Sequence, residues 1–368
     1  MIYLDYTATT PVDEEILETY VKTTRSFFAN TSSLHKLGQE SNFMYEKASN
    51  ELMNIIGLKD YNVIFTSNAT EANNLSILGI VNKYQSGKII TTKIEHSSVY
   101  EIMKSLENRF EVIYLDVDEN GLINLEQLRN KIDNKTILVS IMWVNNIVGT
   151  VEPIEEVIKI VKNYKKVKLH IDAVQGICKI EPNFNFNDID MFTFSTHKLY
   201  GPKGIGGFFY KKGITFAKTI YGSSVQYGIK PGTFDLSLIV STTKVFKKYY
   251  PLVKVNHQNV KEKFDYLYKQ LEKNPKIHIN TPKEHISNYI LNISIPHNNG
   301  ETIVHYLEQN DIYVSTGSAC ASKLKQPEKT ILAMTKSEDY ATSSIRISIS
   351  TLTTFEELDT LVNVIKNI

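Results

Sequence analysis

Short runs of apolar, often β-branched residues recur along the first two thirds of the chain, separated by segments with helical spacing. Val63-Ile64-Phe65-Thr66, Gly87-Lys88-Ile89-Ile90-Thr91, Glu111-Val112-Ile113-Tyr114-Leu115 and Thr136–Met142 read as short buried strands. Val167–Ile171 and Ile189–Phe194 continue the series. Between strands, Leu125–Ile132 and Ile154–Tyr164 place apolar residues at helical spacing. This alternation predicts an α/β fold with a mostly parallel sheet covered by helices. Ligands in such sheets collect at the carboxyl ends of the strands.

The pattern then changes. A long amphipathic segment, Leu236–Leu271, precedes two strands that alternate as half-buried ones do, Ile290–Ile295 and Ser344–Ile349. Thr354-Phe355-Glu356-Glu357 is a capping-box signature for a last helix, Phe355–Ile365. Residues from about 257 onward therefore read as a small α+β unit. No internal repeat, low-complexity stretch or flexible linker interrupts the chain.

With 368 residues the chain can bury a large core. A net charge of +1 gives no steering toward nucleic acid or a membrane surface. No apolar run approaches membrane-spanning length, and the opening Met1-Ile2-Tyr3-Leu4-Asp5 has no basic-then-apolar signal pattern. Only two cysteines occur, Cys178 and Cys320, which points to a reducing cytoplasm rather than a secreted disulfide framework.

The chemistry lies at strand ends. The strand ending at Phe194 runs into Ser195-Thr196-His197-Lys198, and the strand ending at Ile171 runs into Asp172, 26 residues before Lys198. Pyridoxal phosphate (PLP) needs such a pair. The acid keeps the pyridine nitrogen protonated, and the lysine bonds to the aldehyde. Asn68-Ala69-Thr70-Glu71 marks a helix start, where free N–H groups and the helix dipole favour phosphate. His96 follows Glu95 after another strand, and an imidazole there can stack on a pyridine ring. Cys320 sits among small residues in Gly317-Ser318-Ala319-Cys320-Ala321-Ser322, the context of an accessible loop thiol. Cys178, between Ile177 and Lys179, reads as a packed structural cysteine. Arg346, on a strand 26 residues after Cys320, offers a bidentate clamp for an amino-acid carboxylate.

These motifs, in this order, resemble the cysteine desulfurases of aminotransferase class V, the NifS/IscS-like PLP enzymes. The resemblance runs from Tyr3-Leu4-Asp5-Tyr6-Thr7-Ala8-Thr9-Thr10-Pro11 through Ser32–Gly38, Thr66–Glu71, Glu95-His96, Val144-Asn145-Asn146 and Asp172-Ala173-Val174-Gln175. Ser195–Gly204 and Gly317–Cys320 are its most specific pieces. It implies the PLP-dependent transferase fold, aminotransferase fold type I. Residues 14–256 would form the large PLP-binding domain, and 1–13 with 257–368 the small domain carrying the cysteine loop.

The resemblance also distributes roles. Lys198 would hold PLP, Asp172 would pair with the ring nitrogen, Gln175 would reach the phenolic oxygen and His96 would stack. Ala69, Thr70, Ser195 and His197 would bind phosphate, and Thr233 would reach the partner subunit's phosphate in a homodimer. Arg346, assisted by Asn146, would bind the substrate carboxylate, and Cys320 would receive sulfur from L-cysteine as a persulfide. An iron–sulfur scaffold or a tRNA-thiolation enzyme would accept it; no metal, nucleic acid or membrane enters. Selenocysteine lyase, class V aminotransferase and a non-catalytic sulfur-transfer scaffold stay open as alternatives. Several positions depart from the family pattern: Thr31, Asn68, Ile147, the stretch Gly222–Gln226, Lys230, Pro231 and Ser350.

Overall fold

The computed structural model describes residues 1–317 and 327–368, so the expectation for Cys320 lies outside the described residues. The strands are β1 (Ile2–Tyr3), β2 (Tyr61–Thr66), β3 (Lys88–Thr92), β4 (Glu111–Leu115), β5 (Thr136–Met142), β6 (Lys168–Asp172), β7 (Met191–Ser195), β8 (Gly206–Lys211), β9 (His278–Ile279), β10 (Ile290–Ser294), β11 (Ile312–Tyr313) and β12 (Ser344–Ser348). The helices are α1 (Glu14–Ser26), α2 (Lys36–Ile56), α3 (Ala69–Val81), α4 (Ser97–Leu106), α5 (Leu125–Lys131), α6 (Ile154–Val161), α7 (Leu236–Tyr249), α8 (Val253–Leu271), α9 (Gly300–Glu308), α10 (Lys329–Thr335), α11 (Glu338–Thr342) and α12 (Phe355–Ile365).

Seven strands form the main sheet in the order β2-β8-β7-β6-β5-β3-β4. All pairs are parallel except those of β8, which runs antiparallel to both β2 and β7. The predicted parallel sheet is therefore present, with the return strand supplied by the glycine-rich run after Lys198. Both faces are covered. Phe208 of β8 packs with α3 and α4 residues such as Leu75, Val99 and Met103, whereas its neighbour Phe209 joins Phe192, Phe194 and Phe246 on the opposite face. Each strand thus divides its side chains between two cores, as the period-two pleat requires. Every residue of β5 is buried, which is why it reads as an uninterrupted apolar run.

The second part has its own antiparallel sheet, β12-β10-β9, with Ile290 opposite Ser348. The chain start joins it: β1 pairs parallel with β11, and Asp5 bridges to Ser348. The long amphipathic segment is not one helix. It breaks between α7 and α8 at Tyr250–Leu252, where Pro251 has no N–H to donate. The segment expected as Ile154–Tyr164 ends earlier, at Val161. The capping box at Thr354 forms in both directions. Among the described residues no helix is long and apolar enough to cross a membrane.

Burial leaves one acid in a telling state. Glu95 is 0% exposed; its Oε1 accepts from Thr92 Oγ1 at 2.8 Å and from the Met142 N–H at 3.0 Å, while Oε2 has no partner among the described residues. Desolvation pushes its pKa up to about 8, against those two hydrogen bonds. The carboxyl is thus neutral in the fold but ionised in the unfolded chain between about pH 4.3 and the folded value. The unfolded chain binds fewer protons there, so this group makes stability fall with rising pH by about 1.4 kcal/mol per unit. Glu95→Gln, which copies the neutral acid, should match the wild type in denaturant unfolding near pH 4.5 and exceed it at pH 8. Equal stability of the two proteins at pH 8 would show that Glu95 is ionised in the fold.

Candidate active site

Asp172 is the last residue of β6, and its neighbours on β5 and β7 are Met142 and Thr193. It is buried, and its Oδ1 accepts from the Val174 N–H at 3.1 Å. Its Oδ2 accepts from Asn73 Nδ2 at 3.0 Å, and the same nitrogen donates to Ser98 Oγ at 2.9 Å. Ser98 in turn holds His96: its N–H donates to His96 Nδ1 at 3.1 Å, and its Oγ lies 2.8 Å from that nitrogen. One buried amide therefore ties the acid to the imidazole. With Nδ1 accepting, a neutral His96 carries its proton on Nε2. The His96 ring is solvent-accessible yet crowded by protein, as a side chain lining a deep cleft is. Its pKa is lowered by desolvation, opposed by Asp172 and assisted by Lys198, Lys329 and Arg346.

Lys198 follows β7, and its Nζ donates to the main-chain carbonyls of Thr7, at 2.7 Å, and Ala8. Desolvation and then the Arg346 charge lower its pKa to about 8, against the pull of Asp5 and Asp172. Gln175 is buried, with Nε2 donating to the same Thr7 carbonyl at 3.1 Å and Oε1 accepting from Lys179 at 2.7 Å. His197 Nδ1 lies 3.2 Å from Thr9 Oγ1, and burial takes the ring's pKa down to about 4, so it is neutral at physiological pH.

The phosphate end is built by α3. Asn68 caps it by accepting from the Glu71 N–H at 2.9 Å, which leaves Ala69 and exposed Thr70 on the first turn. Glu71 reaches Ser67 rather than the cap residue, taking hydrogen bonds from both its N–H and its Oγ. Gly206 is required beneath this turn, because a Cβ there would lie 2.8 Å from the Asn68 carbonyl carbon and 3.0 Å from the Ala69 nitrogen. Ser195 Oγ is fully buried without a hydrogen-bond partner among the described residues. A helix N-terminus beside an unpaired buried hydroxyl fits the phosphate of PLP. The buried acid at Asp172 and the amine at Lys198 fit its ring nitrogen and aldehyde.

Arg346, on β12, is 4% exposed. Its Nη1 donates to the carbonyls of Asn146 and Gly317, both at 3.0 Å, and Nη2 pairs with Asp5 at 2.9 Å. Its Nε has no partner among the described residues. Asn146 thus meets Arg346 through its main chain. Thr233 is exposed just before α7 and makes no side-chain hydrogen bond to the other site residues. Cys178 is a buried core residue, and burial raises its thiol pKa far above the usual range, which fits a structural role.

Four contributors escaped the sequence reading: Asn73, Ser98, the Thr7 carbonyl and Lys179. Asn73 is fully buried, but it shares its helix with Thr70, Glu71, Asn74 and Ser76, so nothing in the sequence set it apart. The Gly222–Gln226 departure also has a reason. The Gln226 amide donates to the Phe65 carbonyl at 3.0 Å and accepts from the Phe65 N–H at 2.7 Å, pairing with the edge strand β2. Lys230 forms an ion pair with Glu71 at 3.2 Å.

Borohydride reduction of the PLP-loaded protein followed by peptide mapping should place the pyridoxyl label on Lys198. Label on another lysine would overturn that assignment.

Comparison with known proteins agrees with this geometry. The family model for aminotransferase class V matches residues 2–361. A protein described as a NifS/IcsS homolog from Lactobacillus delbrueckii subsp. bulgaricus is 38% identical, covering 98% of this chain and 94% of its own. The cysteine desulfurase IscS of Dictyoglomus turgidum is 35% identical, covering 100% of this chain and 94% of its own. Among solved structures, a NifS-like protein superposes with a TM-score of 0.92 at 33% identity, covering 100% of this chain and 98% of that one. A structure of SspA in complex with cysteine gives a TM-score of 0.82 at 28% identity, covering 96% of this chain and 100% of that one. The chain belongs to the aminotransferase class-V family, among the NifS/IscS cysteine desulfurases.

Proposed function

We propose that the protein is a PLP-dependent cysteine desulfurase that converts L-cysteine to L-alanine and passes the sulfur, as a persulfide on Cys320, to an acceptor protein. The observation that carries this reading is the convergence of Lys198, Asp172 and Arg346 at one cleft. Arg346 there also holds the carbonyl of Gly317, three residues before Cys320. The cysteine bound in the SspA structure supports the substrate class.

PLP, when bound, supplies an electron sink for cleaving the carbon–sulfur bond of the substrate. Everything else falls to the chain. Lys198, with its lowered pKa, holds the aldehyde and moves protons at the substrate α-carbon. Asp172, fixed by Asn73, keeps the pyridine nitrogen protonated. His96 stacks on the ring, and Gln175 donates to the phenolic oxygen. Ala69, Thr70, Ser195 and His197 hold the phosphate. Arg346 orients the substrate carboxylate with Asn146 beside it, and Cys320 is the thiol that takes the sulfur.

We read the active form as a cytoplasmic homodimer. Exposed Thr233 would serve a partner's phosphate in this reading, and Phe28, Leu34, Phe43 and Tyr221 are large apolar side chains left exposed on one copy. An iron–sulfur scaffold or a tRNA-thiolation enzyme is the acceptor; the IscS naming of the relatives supports the first. Residues 14–256 form the cofactor domain in this reading, although the division falls just inside α8.

Cys320→Ser should retain PLP and bind L-cysteine but release almost no alanine and carry no persulfide. Full activity with a persulfide on Cys178 would reassign the thiol. Arg346→Lys keeps the charge but loses the planar fork, and should raise KM for L-cysteine roughly 10–100-fold, the cost of about 1.5–3 kcal/mol for a hydrogen bond to a charged group. An unchanged KM would remove Arg346 from substrate binding. Light scattering should give a dimer; a stable monomer with full PLP occupancy contradicts the shared site.

A further inference from the structure

Lys179 is a buried cation that the proposed reaction leaves without a task. It is 8% exposed, yet no carboxylate lies within ion-pairing distance of its Nζ among the described residues. Its contacts are Gln175 Oε1, at 2.7 Å, and the ring of Tyr289, whose centroid is 5.8 Å away. Desolvation, reinforced by the charges of Lys198 and Arg346 and opposed by Cys178, draws its pKa down to about 7. An uncompensated buried amine costs stability, so packing alone does not explain it.

Gln175 does explain it. The amide has two ends, and one meets a group of fixed character. The Thr7 carbonyl accepts only, so it takes Nε2, at 3.1 Å, which leaves Oε1 to accept from Lys179 Nζ at 2.7 Å. The Thr7 oxygen also accepts from Lys198 Nζ at 2.7 Å, which puts Gln175 Nε2 and the reactive amine on one shared acceptor. The turn that carries both residues is rigid. Ile177 N–H donates to Ala173 O at 2.9 Å and Lys179 N–H to Gly176 O at 3.0 Å. Trp143 packs so closely on Gly176 that a Cβ there would sit 2.3 Å from its ring.

We propose that Lys179 is a positioning residue for the cofactor: by occupying Gln175 Oε1, it keeps Gln175 Nε2 turned toward Lys198 as a donor for the phenolic oxygen of PLP. This rests on reading the chain as a PLP enzyme. Without Lys179, Oε1 is left buried and unpaired and the amide is held at one end only, by the Thr7 carbonyl, so the donor facing the phenolic oxygen is no longer fixed. That oxygen then loses its donor and binds a proton more tightly.

The test is a double-mutant cycle on PLP-loaded protein, comparing wild type, Lys179→Met, Gln175→Leu and the double variant. The readouts are the pH midpoint of the bound cofactor's visible absorbance and the thermal unfolding of each protein before loading. Lys179→Met should move the midpoint up by about one pH unit while the unloaded protein still unfolds in one cooperative thermal transition. In the Gln175→Leu background the same change should move it no further. Lys179→Leu removes the same donor and replaces Lys179→Met in the cycle if that variant does not fold. An unmoved midpoint, or an equal shift in both backgrounds, overturns the proposal while leaving the PLP reading intact. Wild-type protein that binds no PLP overturns both.

Discussion

The first thirteen residues hold the cleft together. Leu4 donates to Tyr313 and accepts from Ser348, and Thr7 donates to Ser348 Oγ, which fastens the segment to the small sheet. A few residues on, the Thr10 N–H donates to the His197 carbonyl, and the Asp13 N–H to that of Tyr200, which fastens it to the loop after β7. Asp5 meets Arg346 and the Thr7 carbonyl meets Lys198 and Gln175. The strap therefore joins the sheet bearing the carboxylate clamp to the sheet bearing the amine. Because peptide groups in a buried strap must all find partners, its register dictates where Lys198 Nζ rests. The site depends on a segment that is itself anchored in the core by Leu4.

A second feature is how the protein tolerates charge inside. Glu95, Glu152 and Glu328 are all buried, and desolvation raises the pKa of each. Their hydrogen bonds come chiefly from backbone N–H groups at strand ends and helix starts: Met142 for Glu95, Ile123 for Glu152, Thr330 and Ile331 for Glu328. Those donors hold each of the three buried acids in place. The oxygens of Asp172 likewise take a side-chain amide, from Asn73, and a backbone N–H, from Val174.

Much of the fold was legible because its signals are local. The strands β4 and β5 and the final helix match the expected bounds: β5 is fully buried and reads as a plain apolar run, the half-buried edge strand β4 is rich in β-branched and aromatic residues, and Thr354–Glu357 specifies its own helix start. The break at Pro251 is equally local, and it divides the long amphipathic segment into α7 and α8. The site divides the same way. Lys198, Asp172 and Arg346 announce themselves through type and position. The Asn73–Ser98 relay and the Thr7 carbonyl do not, because they join residues 25, 99 and 191 positions apart. A main-chain oxygen also has no sequence signature at all.

Burial, with the charges of the cleft acting second, accounts for the reactivity of Lys198. Lys179, Lys198, Lys329 and Arg346 crowd one region against Asp5 and Asp172, and Lys329 lies 3.9 Å over the Tyr100 ring while bonding the Glu95 carbonyl. Such an excess of positive charge favours a phosphate and a carboxylate, the two anionic ends a PLP–amino acid pair brings. It also penalises the ammonium form of Lys198. With a pKa of about 8, roughly a quarter of that amine is neutral at pH 7.5, against about one part in a thousand for an ordinary lysine. Desolvation therefore frees the nucleophile, and Arg346, one of the charges that recruits the anions, adds to the effect. Asp5 limits the effect by pairing with Arg346, so that the clamp stays ordered among like charges before any carboxylate arrives.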